Sequence, residues 1–307
     1  MSHTSLAARL NNPTLACALM VLVIPWSLSR AATQIEEHRA ASPQGSVDIV
    51  NVAGSIDVQG WDKSEVEVTG SAGKEVERVE VTGDANRTTV RVILHNHGSW
   101  GSGGDGEARL LIHVPAGSSI TTSLVSANLK VSGVKGDAKL QTVSGNISGD
   151  VGGDLRANNV SGNVVLTAAG AKSIEVKTVN GNITLIGGDA DLEVTTVNGD
   201  ARITLKTAGR ARFESVSGTV SANFALGADA KIDGESVSGD IKLELAGVPS
   251  GDFDLQTLSG NIDNCFGPKP VKAQYGPGTR LTFKSGDGHA RVRVQSQSGN
   301  VRMCAKS

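Results

Sequence analysis

The chain has almost no aromatic side chains: they make up 3% of its 307 residues, with 3 tryptophans, 1 tyrosine and 5 phenylalanines. Methionine, at 3 residues, is equally scarce. A helix-rich enzyme with a wide core draws on large side chains, so this composition argues against one. Neither sign of charge dominates. The formal net charge of -2 leaves no broad basic field to attract nucleic acid or an anionic membrane surface. Past residue 24 there is no long apolar run, so no spanning helix is expected in the body of the chain. What is abundant is glycine, 38 residues, set among segments of alternating apolar and polar residues. That is the composition of many short strands joined by tight turns.

The first thirty residues differ from the rest. A polar stretch containing Arg9 precedes the apolar run Leu15 to Ile24, which Pro25 ends, and Ser29 and Ala31 then sit two apart as a signal peptidase requires. The expectation is a signal peptide over 1–31, cleaved after or near Ala31, and an exported mature chain. The run is short for an uncleaved anchor, and Cys17 opens it instead of closing it, as a lipoprotein cysteine would not. Two cysteines remain after the leader, Cys265 and Cys304, and an oxidising compartment would let them pair or would leave two buried thiols.

One hexapeptide returns throughout the second half: Thr142-Val143-Ser144-Gly145-Asn146-Ile147, Thr178-Val179-Asn180-Gly181-Asn182-Ile183 and their relatives. Its glycines are Gly145, Gly162, Gly181, Gly199, Gly218, Gly239, Gly260 and Gly299, and from Gly145 to Gly260 they step by 17, 19, 18, 19, 21 and 21 residues. Propeller blades need about 40 residues, so this period belongs to a solenoid with one repeat per coil. The flanks alternate with period two, but inward parity is even before the motif (Ile174, Val176) and odd after it (Ile183, Leu185). The chain must therefore turn or bulge within Thr178 to Gly181, where glycine tolerates a corner conformation and the polar neighbours bond nearby backbone. Stacked coils would align Ile147, Val164, Ile183, Val220, Ile241 and Ile262 as an inward column and Ser144, Ser161, Asn180 and Asn198 as a polar one. A core this narrow should disfavour rings.

Residues 45–115 carry an imperfect form of the same logic, beginning Asn51-Val52-Ala53-Gly54-Ser55-Ile56-Asp57-Val58, followed by longer strands and a glycine-rich loop from Gly98 to Gly106. A stack needs a cap to cover its open edge. The expected architecture is all-β: a single-chain parallel β-solenoid, β-helix-like, with coils of about 17–21 residues and an N-terminal β cap. The expected layout is a leader over 1–31, a linker over 32–44, cap strands and irregular coils over 45–115, and regular solenoid repeats over 116–307.

Gly45-Ser46-Val47, the Asn51 to Val58 segment, Gly60-Trp61-Asp62, the Val114-Pro115-Ala116-Gly117 junction and the serial Val-Ser-Gly-Asn motifs occur in an order that resembles a bacterial putative-adhesin domain family of unknown function with β-strand repeats, related to autotransporter-head-like adhesin domains. The resemblance spans nearly the whole mature chain. It implies a β-helix-like fold in the cell envelope and brings no catalytic or binding residues.

Few residues stand out as sites. His95 and His97 lie two apart on one strand face, and His113 lies on the strand expected to return beside them, so a metal site is conceivable. The plainer reading is exposed polar residues beside a glycine loop, since no carboxylate or cysteine completes a ligand set. The Asn or Asp after each motif glycine suits turn chemistry better than calcium, because only Asp200 and Asp240 are acidic among six positions. Trp100, in the glycine loop, could hold a ligand such as a sugar face, whereas Trp61 suits the cap. No paired carboxylates, Gly-x-Ser-x-Gly elbow or phosphate loop is found, so no enzyme activity and no cofactor are expected. The readings left are an exported adhesin or envelope-binding module with an extracellular or envelope ligand, protein or glycan, and a periplasmic scaffold. A polysaccharide lyase or hydrolase is the third, weaker class.

Overall fold

The computed structural model describes residues 33–95, 106–272 and 277–306. The leader 1–31 lies outside the described residues. Within them there are 23 strands and no helix, joined in one large, mostly parallel sheet.

The parity slip shapes each repeat. In Ser173–Asn180 the side chains of Ile174, Val176 and Thr178 are buried, and in Ile183–Gly187 those of Ile183 and Leu185 are buried. Val179 and Asn180, between them, are both exposed. Each repeat is therefore a pair of strands with a corner at the motif. The strands of each repeat pair in parallel with their equivalents in the neighbouring repeats, in register beside the motif, as Ile183 does with Val164 and Ala201, with register shifts away from it at Val131/Val134, Ala190/Leu192, Thr204/Thr207 and Ala208/Arg210. Ile147, Val164, Ile183, Val220, Ile241 and Ile262 are all buried in one column. Burial of each such side chain favours the fold by about 1.5–3 kcal/mol.

Numbering the rungs by position in the stack exposes an order that differs from the chain order. Rung 1 is Arg87–Leu94 with Ala108–Pro115, and rung 2 is Ser46–Trp61, which lies between rung 1 and rung 3, Ser119–Val134. Rungs 4 to 9 then follow the sequence, with their motif glycines at 145, 162, 181, 199, 218 and 239. Rung 10 is Ala290–Ser296 with Val301–Ala305, the last strands of the chain. It is slotted between rung 9 and rung 11, Gly251–Thr257 with Ile262–Asn264. At the C-terminal end, then, the last strands of the chain lie one rung inside the stack, and near the other end Ser46–Trp61 lies inside strands that follow it in sequence.

The outermost strands are antiparallel. Thr33–Ala40 pairs with Glu65–Ala72, which pairs with Ala108–Pro115, and Val76–Gly83 pairs with Arg87–Leu94. At the other end Thr279–Ser285 pairs antiparallel with Gly251–Thr257. Two expectations are corrected here. Residues 32–44 are not simply a linker, because Thr33–Ala40 supplies an edge strand of the cap. The repeats of 116–307 are not uniform, because the hairpin at 251–285 separates rung 11 from the strands of rung 10.

The corner chemistry joins rungs. At Gly181 φ is +153°, and an added Cβ would fall on the carbonyl oxygen of Gly162 in the rung before it. The residue after each glycine reaches the next rung: Asn163 N donates to Asn146 Oδ1 at 2.9 Å, Asn182 N to Asn163 Oδ1 at 3.0 Å and Asp200 N to Asn182 Oδ1 at 2.9 Å. The bonds expected within each turn are thus found between turns. Inside the corner, Asn159 Nδ2 donates to both Gly145 O and Gly162 O at 3.0 Å, and Thr257 Oγ1 to Gly299 O at 2.8 Å.

Rings are accommodated more readily than the narrow core implied. Phe213, Phe224 and Phe253 are fully buried, with Phe213 stacked on Phe224 at 6.2 Å. The rung after Phe213 presents Gly234 at the equivalent position.

Candidate functional site

The second residue of the motif sits where parity slips, so it faces outward although it is apolar. Val125, Val143, Val160, Val179, Val216, Val237 and Leu258 are all exposed, from 39% at Val179 to 55% at Leu258. Val197 is half-buried in the same column. Strand register puts one of these residues on every rung from 3 to 11, except rung 10, where Gln297 takes the place. Rungs lie about 4.8 Å apart, so the stripe runs for roughly 40 Å. A shallow trough of 610 Å³ follows it from Val50 and Val52 to Val197, and a second of 710 Å³ follows it from Val197 to Leu258 and Arg280. The two meet at Thr195 and Val197.

Two outward columns run beside the stripe on the same strands. Lys177, Thr195, Glu214 and Glu235 align in the nearer one, and Arg156, Glu175, Glu193, Arg212 and Asp233 in the farther. Charges pair along them. Arg156 Nε lies 2.6 Å from Glu175 Oε2, and Lys177 Nζ lies 2.9 Å from both Glu175 Oε1 and Glu193 Oε1. The hydrogen bond from Lys177 holds the Glu175 carboxyl below its ordinary range, and the same bond lifts the lysine above its own. Arg280 clasps Asp254 through Nε at 3.2 Å and Nη2 at 3.0 Å. Burial pushes the Asp254 carboxyl up, but bonds from Gln256 and Arg280 outweigh it and the net shift is downward.

Sequence reasoning missed this stripe. The signal was present: an apolar residue recurs at the motif position that directly follows the last inward residue of the preceding strand, as Val179 follows Thr178.

Of the candidate histidines the structure describes His95 and His113, and it places them apart. His97 and Trp100 lie outside the described residues. His95 ends Arg87–Leu94, with its amide donating to Glu75 O at 2.9 Å. His113 lies on Ala108–Pro115, whose neighbours are Ser46–Trp61 and Glu65–Ala72, so it does not return beside His95 as expected. Instead His113 stacks on Trp61, ring centroids 4.7 Å apart, with Nδ1 2.8 Å from Glu67 Oε2. Lys63 Nζ lies 4.2 Å over the other ring partner, Trp61. Among the described residues no three His, Cys, Asp or Glu side chains converge as a metal site would need. Cys265 and Cys304 are joined in a disulfide with Cα atoms 4.8 Å apart, tying the end of rung 11 to rung 10. Among the described residues no helix is long and apolar enough to cross a membrane.

No curated protein matches the chain. Several solved structures are similar at low identity. A putative adhesin from Bacteroides fragilis NCTC 9343 is 11% identical over 90% of this chain and 98% of its own, with a TM-score of 0.40. A putative lipid binding protein from Parabacteroides distasonis ATCC 8503 is 12% identical over 90% and 98%, with a TM-score of 0.42. A putative cell adhesion protein from Clostridium sporogenes ATCC 15579 is 10% identical over 89% and 100%, with a TM-score of 0.25. The family model described as Toastrack DUF4097, a domain of unknown function, matches residues 45–304, and the chain belongs to that family.

Proposed function

We propose that this chain is an exported, non-enzymatic β-solenoid that acts as an adhesin-type binding module of the cell envelope, with the aliphatic stripe as its contact surface. The observation that carries the reading is the stripe itself. A soluble face would place polar side chains at these outward positions, and apolar patches that are contiguous mark interaction sites. A long, shallow, regularly spaced surface suits many weak contacts with a macromolecule and does not suit enclosure of a small substrate. The paired charges beside it are neutralised along the strands, which is unlike a catalytic pair held apart in its ionisation.

Protease shaving of intact cells tests the location. Loss of the protein before the outer membrane is permeabilised places it at the surface, as adhesion requires; full protection until permeabilisation removes the adhesion reading. Purified protein carrying Val160→Asp with Val216→Asp should then lose retention on envelope or cell-surface material that retains the parent chain. Equal retention of both would mean that the stripe is not the contact surface.

A further inference from the structure

The stripe is as regular as a zipper, and the charged columns beside it show what could close on it. If a second copy of the chain were laid face to face and antiparallel, with a two-fold axis along the strand direction, each column would meet itself in reversed rung order. The geometry fixes only the rung through which the axis passes, and the charges choose it. With the axis at rung 7, at Val197, rung 6 faces rung 8 and rung 5 faces rung 9. Lys177 then meets Glu214, Glu175 meets Arg212, and Arg156 meets Asp233, each twice by symmetry. Opposing like charges are confined to Lys139 against Arg293 and to Glu193 at the axis, which Lys177 already holds at 2.9 Å in its own chain. Opposing rung 6 to rung 7 instead sets Glu175 against Glu193 and Arg156 against Arg212. Opposing rung 7 to rung 8 sets Glu193 against Arg212, Lys177 against Glu235 and Lys139 against Asp254, but it also sets Glu175 against Asp233 and Arg156 against Arg293, each twice, so it carries one more like-charge contact than the register centred on rung 7.

Rung 7 is also where the two troughs along the stripe meet. The area agrees. Nine rungs at about 4.8 Å and three outward columns about 6.7 Å apart give a footprint of roughly 800 Å² per copy, the size of a standard specific interface, whereas the aliphatic column alone gives roughly 300 Å². A parallel arrangement would place Lys177 opposite the uncharged corner at Asn180 and Gly181 and would form none of these pairs.

We infer that the partner of the stripe is a second copy of this chain, associated antiparallel about Val197, so that adhesion through this face is homophilic. The inference rests on the stripe being the contact surface and adds the identity of what covers it. Isologous contact of this kind is the commonest symmetry of protein association, and the pairing rule across it gives both register and selectivity.

Sedimentation of the purified chain over micromolar concentrations should show a monomer–dimer equilibrium. Lys177→Glu and Glu214→Lys should each weaken it at least tenfold, and the two together should restore it, with circular dichroism unchanged because both side chains point out of the sheet and lie outside the core. Val197→Cys should form an intermolecular disulfide mapped to position 197. Val160→Cys should not link to itself but should link to Val237→Cys when the two are mixed. A chain that stays monomeric at 100 µM, taken as about a hundredfold above a micromolar dissociation constant, would overturn the inference. So would self-linkage at position 160 equal to that at 197, which is the mark of a parallel pair. If the chain is monomeric yet Val160→Asp with Val216→Asp abolishes retention on envelope material, the homophilic step fails and the binding surface stands. If it dimerises as described but is fully protected in intact cells, adhesion fails and the dimer stands.

Discussion

The corner ladder has one gap, and filling it measures what the ladder is worth. The residue after each motif glycine offers a side-chain carbonyl to the amide of the next rung, but at rung 8 that residue is Thr219, which has none. Its own amide receives the ladder's support, donating to Asp200 Oδ1 at 2.9 Å, but it hands nothing on to Asp240. Beyond it the ladder resumes, with Asn300 N bonded to Asp240 Oδ1 at 2.8 Å and Asn261 N to Asn300 Oδ1 at 3.0 Å. Thr219→Asn should supply the missing acceptor. One net amide–carbonyl bond contributes about 0.5–1.5 kcal/mol, and for a domain of this size each kcal/mol moves the melting temperature by about 2 °C. The expected gain is therefore about 1–3 °C in thermal denaturation, with slower hydrogen exchange at the Asp240 amide by roughly fivefold. Asn182→Ala is the reciprocal: it strands Asp200 N and should cost about 1 kcal/mol. If Asn182→Ala destabilises while Thr219→Asn changes neither melting nor exchange at Asp240, the side chains act within their own turns and the inter-rung account is wrong.

Other perturbations separate effects that the fold combines. Gly247 has φ +79° with nothing within 4 Å of an added Cβ, so Gly247→Ala should cost only the left-handed strain of about 1 kcal/mol in urea titration. Gly299 is not left-handed, yet an added Cβ would fall on Gly239 O, so Gly299→Ala should cost more, about 2–4 kcal/mol, by forcing rungs 9 and 10 apart. Cys304→Ser opens a crosslink between residues 39 apart in sequence, worth about 4 kcal/mol by loop-closure entropy. Limited proteolysis should then cut first in the 265–289 region, and cutting elsewhere first would refute the lock. Glu175 titrates below its ordinary value of 4.5, so its contribution is full above that pH and is lost as pH falls through the folded value. Lys177→Met should flatten that acid limb of the stability curve, by less than about 1 kcal/mol because the pair lies at the surface with its lysine half-exposed, and salt should have the same effect.

The sequence displayed the repeat, the corner and the inward column because each is local: a period of about 18 residues, a parity change at Thr178 to Gly181, and an isoleucine or valine two residues after every motif glycine but Gly199, where Ala201 stands. Stacking order was not legible for the same reason. Every rung presents nearly the same motif, so Gly260 could follow Gly239 as well as Gly299 can, and only the hairpin at 251–285 and the Cys265–Cys304 link distinguish them. His113 was misplaced because its neighbours depend on rung 2 entering between segments that come later in the chain. The stripe was hidden by its own regularity, since a valine in a strand motif is read as core unless the parity slip is carried through to that residue. The ladder residues were visible as turn formers, but the partner of each lies one rung away, from 17 residues along at Asn146 and Asn163 to 60 at Asp240 and Asn300, beyond any local pattern.

The interleaved ends have a consequence for where this protein can make contact. A parallel stack has two open edges, and an exposed parallel edge invites pairing with another chain. Here Ser46–Trp61 enters between rungs 1 and 3, and the last strands, Ala290–Ser296 and Val301–Ala305, enter between rungs 9 and 11, so unzipping from the C-terminal end must break pairing on two sides. The edges are left to antiparallel strands, Thr33–Ala40 beside Glu65–Ala72 at one end and Thr279–Ser285 at the other, whose direction breaks the repeat. End-to-end growth of the stack by addition of like rungs is thereby opposed. The broad faces remain, and on the face made by the strands before each motif the exposed side chains are a run of valines flanked by self-complementary charge. A chain built this way closes off association through its edges and offers association through its side.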